Sequence, residues 1–131
     1  MKHVAIIPMA GNGLRFAKAG YKTPKPLIKV ENEYMFVKVC KTIPKPDKWI
    51  FIYNKSLDDK FNIEQIINKN FDNAVSIKVK KDTGGQAYSC KLTYKYLDDE
   101  DFVFISSCDI INYYSETKLS DFKKKYDIQV F

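Results

Sequence analysis

The sequence predicts an α/β protein with a Rossmann-like, mostly parallel sheet and helices on both faces. Short apolar runs rich in β-branched and aromatic residues alternate with stretches whose apolar residues recur at helical spacing. Alternation of this kind is typical of a parallel sheet covered on both sides. The chain has 131 residues, 45% of them hydrophobic, so residues 1–131 are predicted to form a single domain with a substantial core.

Five stretches have the composition of strands and are bounded by turn-forming or charged residues. The last of them ends the sequence with nothing after it to cover it, so we expect a fragment or a minimal half of a larger fold. The five predicted strands are His3–Met9, Trp49–Tyr53, Val75–Val79, Phe102–Ser106 and Ile128–Phe131.

Four helices are predicted between the strands, because apolar residues recur there every three or four positions. The second helix is expected to begin with a capping box of Asn62 and Gln65, and the fourth with Ser115 as its N-cap. The four apolar stripes are Met35, Phe36, Val39, Cys40 and Ile43; Ile63, Ile66, Ile67 and Phe71; Ala87, Cys90, Tyr94 and Leu97; and Leu119, Phe122 and Tyr126.

The composition argues against several classes of partner. The net charge of +6 comes from 21 lysines and one arginine scattered among 16 acidic residues, which favours small anionic substrates over nucleic acid. No apolar run approaches the roughly 20 residues of a membrane span, so no membrane partner is expected. Three cysteines without a CxxC pair indicate reduced thiols and a cytoplasmic protein.

The loop after the first strand is the first candidate for a ligand site. Ligands of open parallel sheets bind beyond the carboxyl ends of the strands. If the strand order is 3-2-1-4, the segments Met9–Gly13 and Ser107–Asp109 face each other. Gly11 and Gly13 allow positive φ and a close approach of the backbone to a phosphate or a base. Because glycine is also common in ordinary turns, the GxG motif by itself leaves a purely structural role open.

Two cations follow the glycine loop. Lys25 lies between two prolines, which are expected to hold it in an extended backbone and to prevent a long helix. The same tripeptide recurs around Lys45 as a plain connector, so what distinguishes Lys25 is its place after the glycine loop. Arg15 is the single arginine of the chain, and a guanidinium can grip phosphate oxygens with two hydrogen bonds.

Two further segments can carry chemistry. Asp109 follows an apolar strand, and a carboxylate there suits Mg²⁺ together with substrate phosphates; the alternative is a turn or N-cap residue. Gly84 and Gly85 open the third predicted helix, where a flat ligand such as a nucleobase can approach closely. The alternative for this segment is a flexible entry to a helix.

Four segments in this order resemble the amino-terminal part of the sugar-1-phosphate nucleotidyltransferases, or nucleotide-sugar pyrophosphorylases. The segments are IIPMAGNGLRF, TPKPLIKV, TGGQAYS and ISSCDI. The resemblance implies the nucleotide-diphospho-sugar transferase type of fold, with nucleoside contacts from Met9, Ala10 and Gly11. It implies triphosphate contacts from Gly13, Arg15 and Lys25, of which the last two are catalytic. It also implies base or ribose contacts from Gly85 and Gln86, and Mg²⁺ binding by Asp109.

The implied reaction joins a nucleoside monophosphate from a nucleoside triphosphate to a sugar phosphate or similar acceptor and releases pyrophosphate. Cys108 stands where the family more often has glycine, a variant associated with surface-polysaccharide enzymes. The family's second metal-binding aspartate has no counterpart here, so the 131 residues alone are expected to transfer nucleotide poorly. The base, the acceptor and a homo-oligomeric state are left open.

Two other classes remain as alternatives. A glycosyltransferase of the related nucleotide-sugar fold would normally carry a DxD metal motif, whereas this chain has Asp109-Ile110-Ile111. A nucleotide-binding module without catalytic activity is the other alternative, favoured by the short length. Release of pyrophosphate distinguishes the nucleotidyltransferase from both.

Overall fold

Four parallel strands form the central sheet of the protein. The computed structural model describes residues 1–125, so Tyr126 and the predicted strand Ile128–Phe131 lie outside the described residues. Short 3₁₀ turns lie at Lys25–Leu27 and Tyr94–Tyr96. In chain order the strands are β1 His3–Met9, β2 Lys29–Val30, β3 Glu33–Tyr34, β4 Lys48–Asn54, β5 Ala74–Val79 and β6 Phe102–Ile105; the helices are α1 Leu14–Lys18, α2 Met35–Cys40, α3 Lys55–Phe61, α4 Ile63–Asn70, α5 Gln86–Lys91 and α6 Glu116–Lys125.

The order of strands in the central sheet is β5-β4-β1-β6, and each neighbouring pair is parallel. Strand β1 lies inside the sheet, with Ala5 opposite Trp49 of β4 on one side and Phe104 of β6 on the other. When only the strands of this sheet are counted, the order is 3-2-1-4. The predicted parallel α/β sheet is therefore confirmed, and the loops that follow β1 and β6 leave the same edge side by side.

Both faces of the sheet are buried, which explains why the buried residues of β1 and β4 are almost all apolar. The face that includes Ile7 packs against α2 and α4 through Phe36 and Ile63. The opposite face, which includes Ile6, packs against α5 and the turn after it through the half-buried Cys90 and neighbouring residues. Helices therefore cover both sides, as predicted.

The four predicted helices are present, but the capping box is wrong. Asn62 adopts a left-handed conformation (φ 52°, ψ 49°) between α3 and α4 and makes no side-chain cap hydrogen bond. Asparagine tolerates this conformation better than most residues, so it serves here as the corner between two helices. Asp58 accepts the hydrogen bond from the Glu64 backbone N–H instead, at 2.8 Å. Helix α6 begins directly after Ser115, as predicted.

Four elements were not predicted: β2, β3, α1 and α3. A two-residue turn with positive φ at Glu31 and Asn32 joins β2 and β3, strands of two residues each that are too short to show an alternating pattern. Helix α1 follows the glycine loop for five residues and ends before Gly20, whose φ is 89°. Helix α3 is mostly charged, so its period is weak. No helix within residues 1–125 is long and apolar enough to cross a membrane.

Candidate functional site

A cleft of about 420 Å³ opens at the carboxyl edge of the sheet, above β1 and β6. Three loops and one turn form its walls. Two of the loops are named here after the contacts that the resemblance implies: the phosphate loop, residues 10–13 after β1, and the base loop, residues 82–86 at the start of α5. The other two walls are the loop after β6 and the 3₁₀ turn that begins at Lys25. Each predicted site residue lines this one cleft. They are Met9, Ala10, Gly11, Gly13, Arg15, Lys25, Gly85, Gln86 and Asp109.

The phosphate loop is held by the sheet beneath it. The side-chain amide of the buried Asn54, at the end of β4, donates a hydrogen bond to the Ala10 carbonyl oxygen at 2.8 Å. Gly13 has φ 60° and turns the chain into α1, where its carbonyl oxygen accepts the backbone N–H groups of Phe16 and Ala17. Gly11 does not have positive φ, and a Cβ built on it would meet no atom within 4 Å. Within this loop, the backbone conformation therefore favours glycine only at position 13.

Lys25 is the first residue of a 3₁₀ turn, which corrects the prediction of an extended backbone at this position. Pro24 is extended, as expected, but Pro26 lies at the second position of the turn, where an amide hydrogen is not needed. The turn directs the Lys25 ammonium group into the cleft, where it forms an ion pair with Asp109. The ammonium also lies 5.4 Å from the ring centroid of Phe16.

Both carboxylate oxygens of Asp109 have partners. Oδ2 is paired with Lys25, and Oδ1 accepts a hydrogen bond from the Ser107 hydroxyl. Burial by itself would raise the pKa of Asp109, but the hydrogen bonds from Lys25 and Ser107 and the charge of Lys25 outweigh it and lower the pKa below its ordinary value. Asp109 is therefore ionised at neutral pH, as a metal ligand must be.

Arg15 is a second positively charged residue of the cleft, besides Lys25. Arg15 projects from α1, and among residues 1–125 no carboxylate forms a salt bridge with it, so its guanidinium is available to an anionic ligand. Within the same residues, no group of three or more His, Cys, Asp or Glu side chains could hold a metal ion.

The base loop combines two glycines with a network of hydroxyl groups. Gly84 has φ 81° and Gly85 has φ 144°, a region that L residues rarely adopt. The hydroxyl oxygens of Thr83 and Ser89 lie 2.5 Å apart, and each lies 3.2 Å from the Gly85 carbonyl oxygen. One hydroxyl donates to the other, which in turn donates to this carbonyl oxygen. Ser89 belongs to α5 and is buried, so it anchors the loop to the helix.

Sequence reasoning gave no role to five polar residues that also line the cleft. Each is a common residue type next to a loop, so local sequence alone does not single it out. They are Asn12, Asp82, Thr83, Ser107 and, from α5, Ser89. Their positions beside the glycines and beside Asp109 were the available signal.

Cys108 lies next to Asp109 but is not a candidate nucleophile. Burial, together with the negative charge of Asp109, raises the pKa of its thiol to about 11 even though Lys25 acts in the opposite direction. The thiol is therefore protonated at neutral pH and packs as a small apolar group beside Cys40 in the core.

Comparisons with solved structures give the fold an independent reference. The inositol-1-phosphate CTP transferase from T. maritima superposes with a TM-score of 0.64 at 21% identity, over 81% of this chain and 43% of that one. The UTP-bound UGPase from Acinetobacter baumannii has a TM-score of 0.66 at 16% identity, over 95% and 54%. A nucleoside-diphosphate-sugar pyrophosphorylase from Vibrio cholerae RC9 has a TM-score of 0.65 at 18% identity, over 88% and 52%.

The sequence comparisons find no counterpart: no protein-family model matches the chain, and no curated protein matches it. The chain spans about half the length of the three structures above. At these identities the similarity concerns the fold. The chain thus has the fold of the nucleotidyltransferases and nucleotide-sugar pyrophosphorylases, over about half their length.

Proposed function

We propose that the protein is a nucleotidyltransferase that joins a nucleoside monophosphate from a nucleoside triphosphate to a sugar phosphate or similar acceptor. The main support is that nine residues assigned from separate segments of the sequence line one cleft at the carboxyl edge of the sheet. The similar structures support the same class, because they are a CTP transferase, a UGPase bound to UTP and a pyrophosphorylase.

The cleft offers a place for each part of the nucleotide. Met9, Ala10 and Gly11 would line the nucleoside, and the two residues at the start of α5, Gly85 and Gln86, would meet the base or ribose. The missing side chain at Gly11 leaves open space over the phosphate loop, since a Cβ there has no neighbour within 4 Å. A ligand that packs against this backbone would use that space.

The proposed reaction is an in-line displacement at the α-phosphorus. An oxygen of the acceptor phosphate forms a bond to the α-phosphorus, the bond from this phosphorus to the bridging oxygen breaks, and pyrophosphate leaves with the electron pair. No covalent enzyme intermediate is needed, so the protein positions the two anions and offsets their charge. Gly13, through its backbone, and the cations Arg15 and Lys25 would carry out these tasks.

Asp109 is the residue that would hold Mg²⁺. It is an ionised carboxylate at the edge of the cleft, and a single carboxylate with phosphate oxygens is a sufficient protein contribution for this ion. When bound, the ion would offset negative charge on the phosphates. Lys25 holds Asp109 in the free protein, so Lys25 would exchange this carboxylate for phosphate oxygens when nucleotide binds.

A cytoplasmic location and a role in surface-polysaccharide synthesis belong to the same proposal. Three free thiols support the cytoplasmic location. The role in surface-polysaccharide synthesis is supported by Cys108, which stands where the family that the sequence resembles more often has glycine. A homo-oligomer is compatible with the proposal and is not required by it.

Calorimetric titration with the four common ribonucleoside triphosphates, with and without Mg²⁺, tests the first step. We expect binding of at least one triphosphate, strengthened by Mg²⁺. Failure of a folded sample to bind any of them would refute the proposal. Release of pyrophosphate with phosphorylated sugars as acceptors then separates a nucleotidyltransferase from a glycosyltransferase and from a binding module, neither of which releases it.

A further inference from the structure

A hydrogen bond across the cleft joins the phosphate loop to the base loop, and the roles above leave it unused. The side-chain amide of Asn12 donates to Asp82 Oδ2 at 2.8 Å. The other oxygen of the same carboxylate accepts the Gly84 backbone N–H at 3.1 Å. Asn12 and Asp82 both line the cleft. One carboxylate oxygen of Asp82 therefore contacts the phosphate loop, and the other contacts the base loop.

The base loop needs such a connection because its backbone is unusually free. Gly84 and Gly85 have positive φ, and glycine loses more conformational freedom on ordering than any other residue. The hydroxyl pair of Thr83 and Ser89 anchors the side of the loop that faces α5. Asp82 anchors the opposite side, through Asn12, to a phosphate loop that Asn54 holds on the sheet.

We infer that Asp82 is a positioning residue, which with Asn12 forms a brace that sets the separation of the two walls before nucleotide enters. The inference rests on the proposed function of the cleft. A carboxylate repels the phosphates of a triphosphate, so contact with them would weaken binding. In a brace, the oxygens of Asp82 accept hydrogen bonds from the protein. The base loop is then already ordered before the nucleotide binds, which lowers the entropy cost of binding.

The first experiment needs no nucleotide. Millisecond hydrogen exchange of the free protein is compared for the original chain, Asn12→Ala and Asp82→Ala. We expect Asn12→Ala to speed exchange in the base loop, 70 residues away in sequence. Asn70→Ala is the matched control, because it removes an asparagine hydrogen bond of the same 2.8 Å length from the end of α4. Unchanged exchange of the base loop in Asn12→Ala would overturn the brace.

The second experiment measures affinity for CTP and UTP with Mg²⁺ in a double-mutant cycle. The single variants Asn12→Ala and Asp82→Ala each lose the hydrogen bond between an amide and a charged carboxylate. Each should therefore bind CTP and UTP about fivefold to twentyfold more weakly, and the double variant should bind them about as weakly as Asp82→Ala. Asp82→Asn should restore part of the loss, since it keeps one acceptor oxygen. Melting temperatures show whether the variants are folded.

Three results in the second experiment would overturn the inference. Additive losses would mean that Asn12 and Asp82 act separately. A loss in Asp82→Ala that spares Asn12→Ala would mean that the bond between them is irrelevant to binding. A loss confined to ribonucleotides, with deoxyribonucleotides unaffected, would indicate direct contact with a sugar hydroxyl. If the original chain binds no triphosphate, the proposed function fails, while the exchange measurement still decides whether the brace exists.

Discussion

Replacing Lys25 by alanine tests the central assignment of the cleft. The Lys25 side chain is only 24% exposed and already lies beside an anion, Asp109, so solvent screens its charge weakly. At an effective dielectric constant of about 20, two unit charges 4 Å apart interact by about 4 kcal/mol. After desolvation, a contact of this kind that strengthens in the transition state is worth about 2–4 kcal/mol. We therefore expect turnover to fall roughly thirtyfold to a thousandfold.

Lys45→Ala is the matched control, because Lys45 lies in the same Pro-Lys-Pro sequence. It is exposed in the connection between α2 and β4, where it lines a different surface groove with Leu119 of α6. Its removal deletes the same charge from the chain. The expected change in the free energy of unfolding is below about 0.5 kcal/mol, with turnover nearly unchanged.

The assay measures pyrophosphate release at saturating nucleotide and high protein concentration, because the 131 residues are expected to transfer nucleotide slowly. Melting temperatures are recorded for both variants. Lys25→Ala leaves Asp109 with only the Ser107 hydroxyl, so a loss of stability of about 1 kcal/mol or less is expected there as well. Equal losses of turnover in the two variants would refute the reasoning. So would an unaffected Lys25→Ala, because Lys25 would then be a connector like Lys45.

Three further predictions concern the cleft and its surroundings. Gly11→Ala should leave the melting temperature nearly unchanged, because the added Cβ has no neighbour within 4 Å, but it should abolish nucleotide binding in calorimetry if the ligand packs there. Gly13→Ala should lower the free energy of unfolding by about 1–2 kcal/mol in denaturant titrations, because the residue has φ 60°. The folded-state pKa of Asp109 lies below its ordinary value of 3.8, so its ion pair with Lys25 stabilises the fold above pH 3.8. This contribution is lost as the pH falls through the folded-state pKa, so the acid branch of a plot of stability against pH should be shallower for Lys25→Ala than for the original chain. Parallel curves would contradict this. Cys108, with a thiol pKa of about 11, should react with iodoacetamide at pH 8 far more slowly than in urea, as mass spectrometry of the alkylated peptides would show.

The sequence by itself predicted the four strands of the central sheet and nine of the residues that line the cleft. The bounds of β1 were predicted from its composition, because a strand buried on both faces is apolar throughout. Gly13, Arg15 and Lys25 were predicted as site residues because they follow the end of β1, Arg15 as the single arginine and Lys25 by its place after the glycine loop. Elements without a strong period were missed, and α3, with its charged surface, is the main example.

Only the tertiary structure decided which of these residues meet. Lys25 and Asp109 form an ion pair, and Asn12 bonds to Asp82, although each pair is far apart in sequence. The first contact follows from placing β6 beside β1, because Asp109 lies in the loop after β6. The second follows from the packing of α5 against β1, because Asp82 lies in the segment between β5 and α5. Local sequence sets the conformation and chemistry of each loop, whereas the distance between loops depends on the packing of the entire sheet.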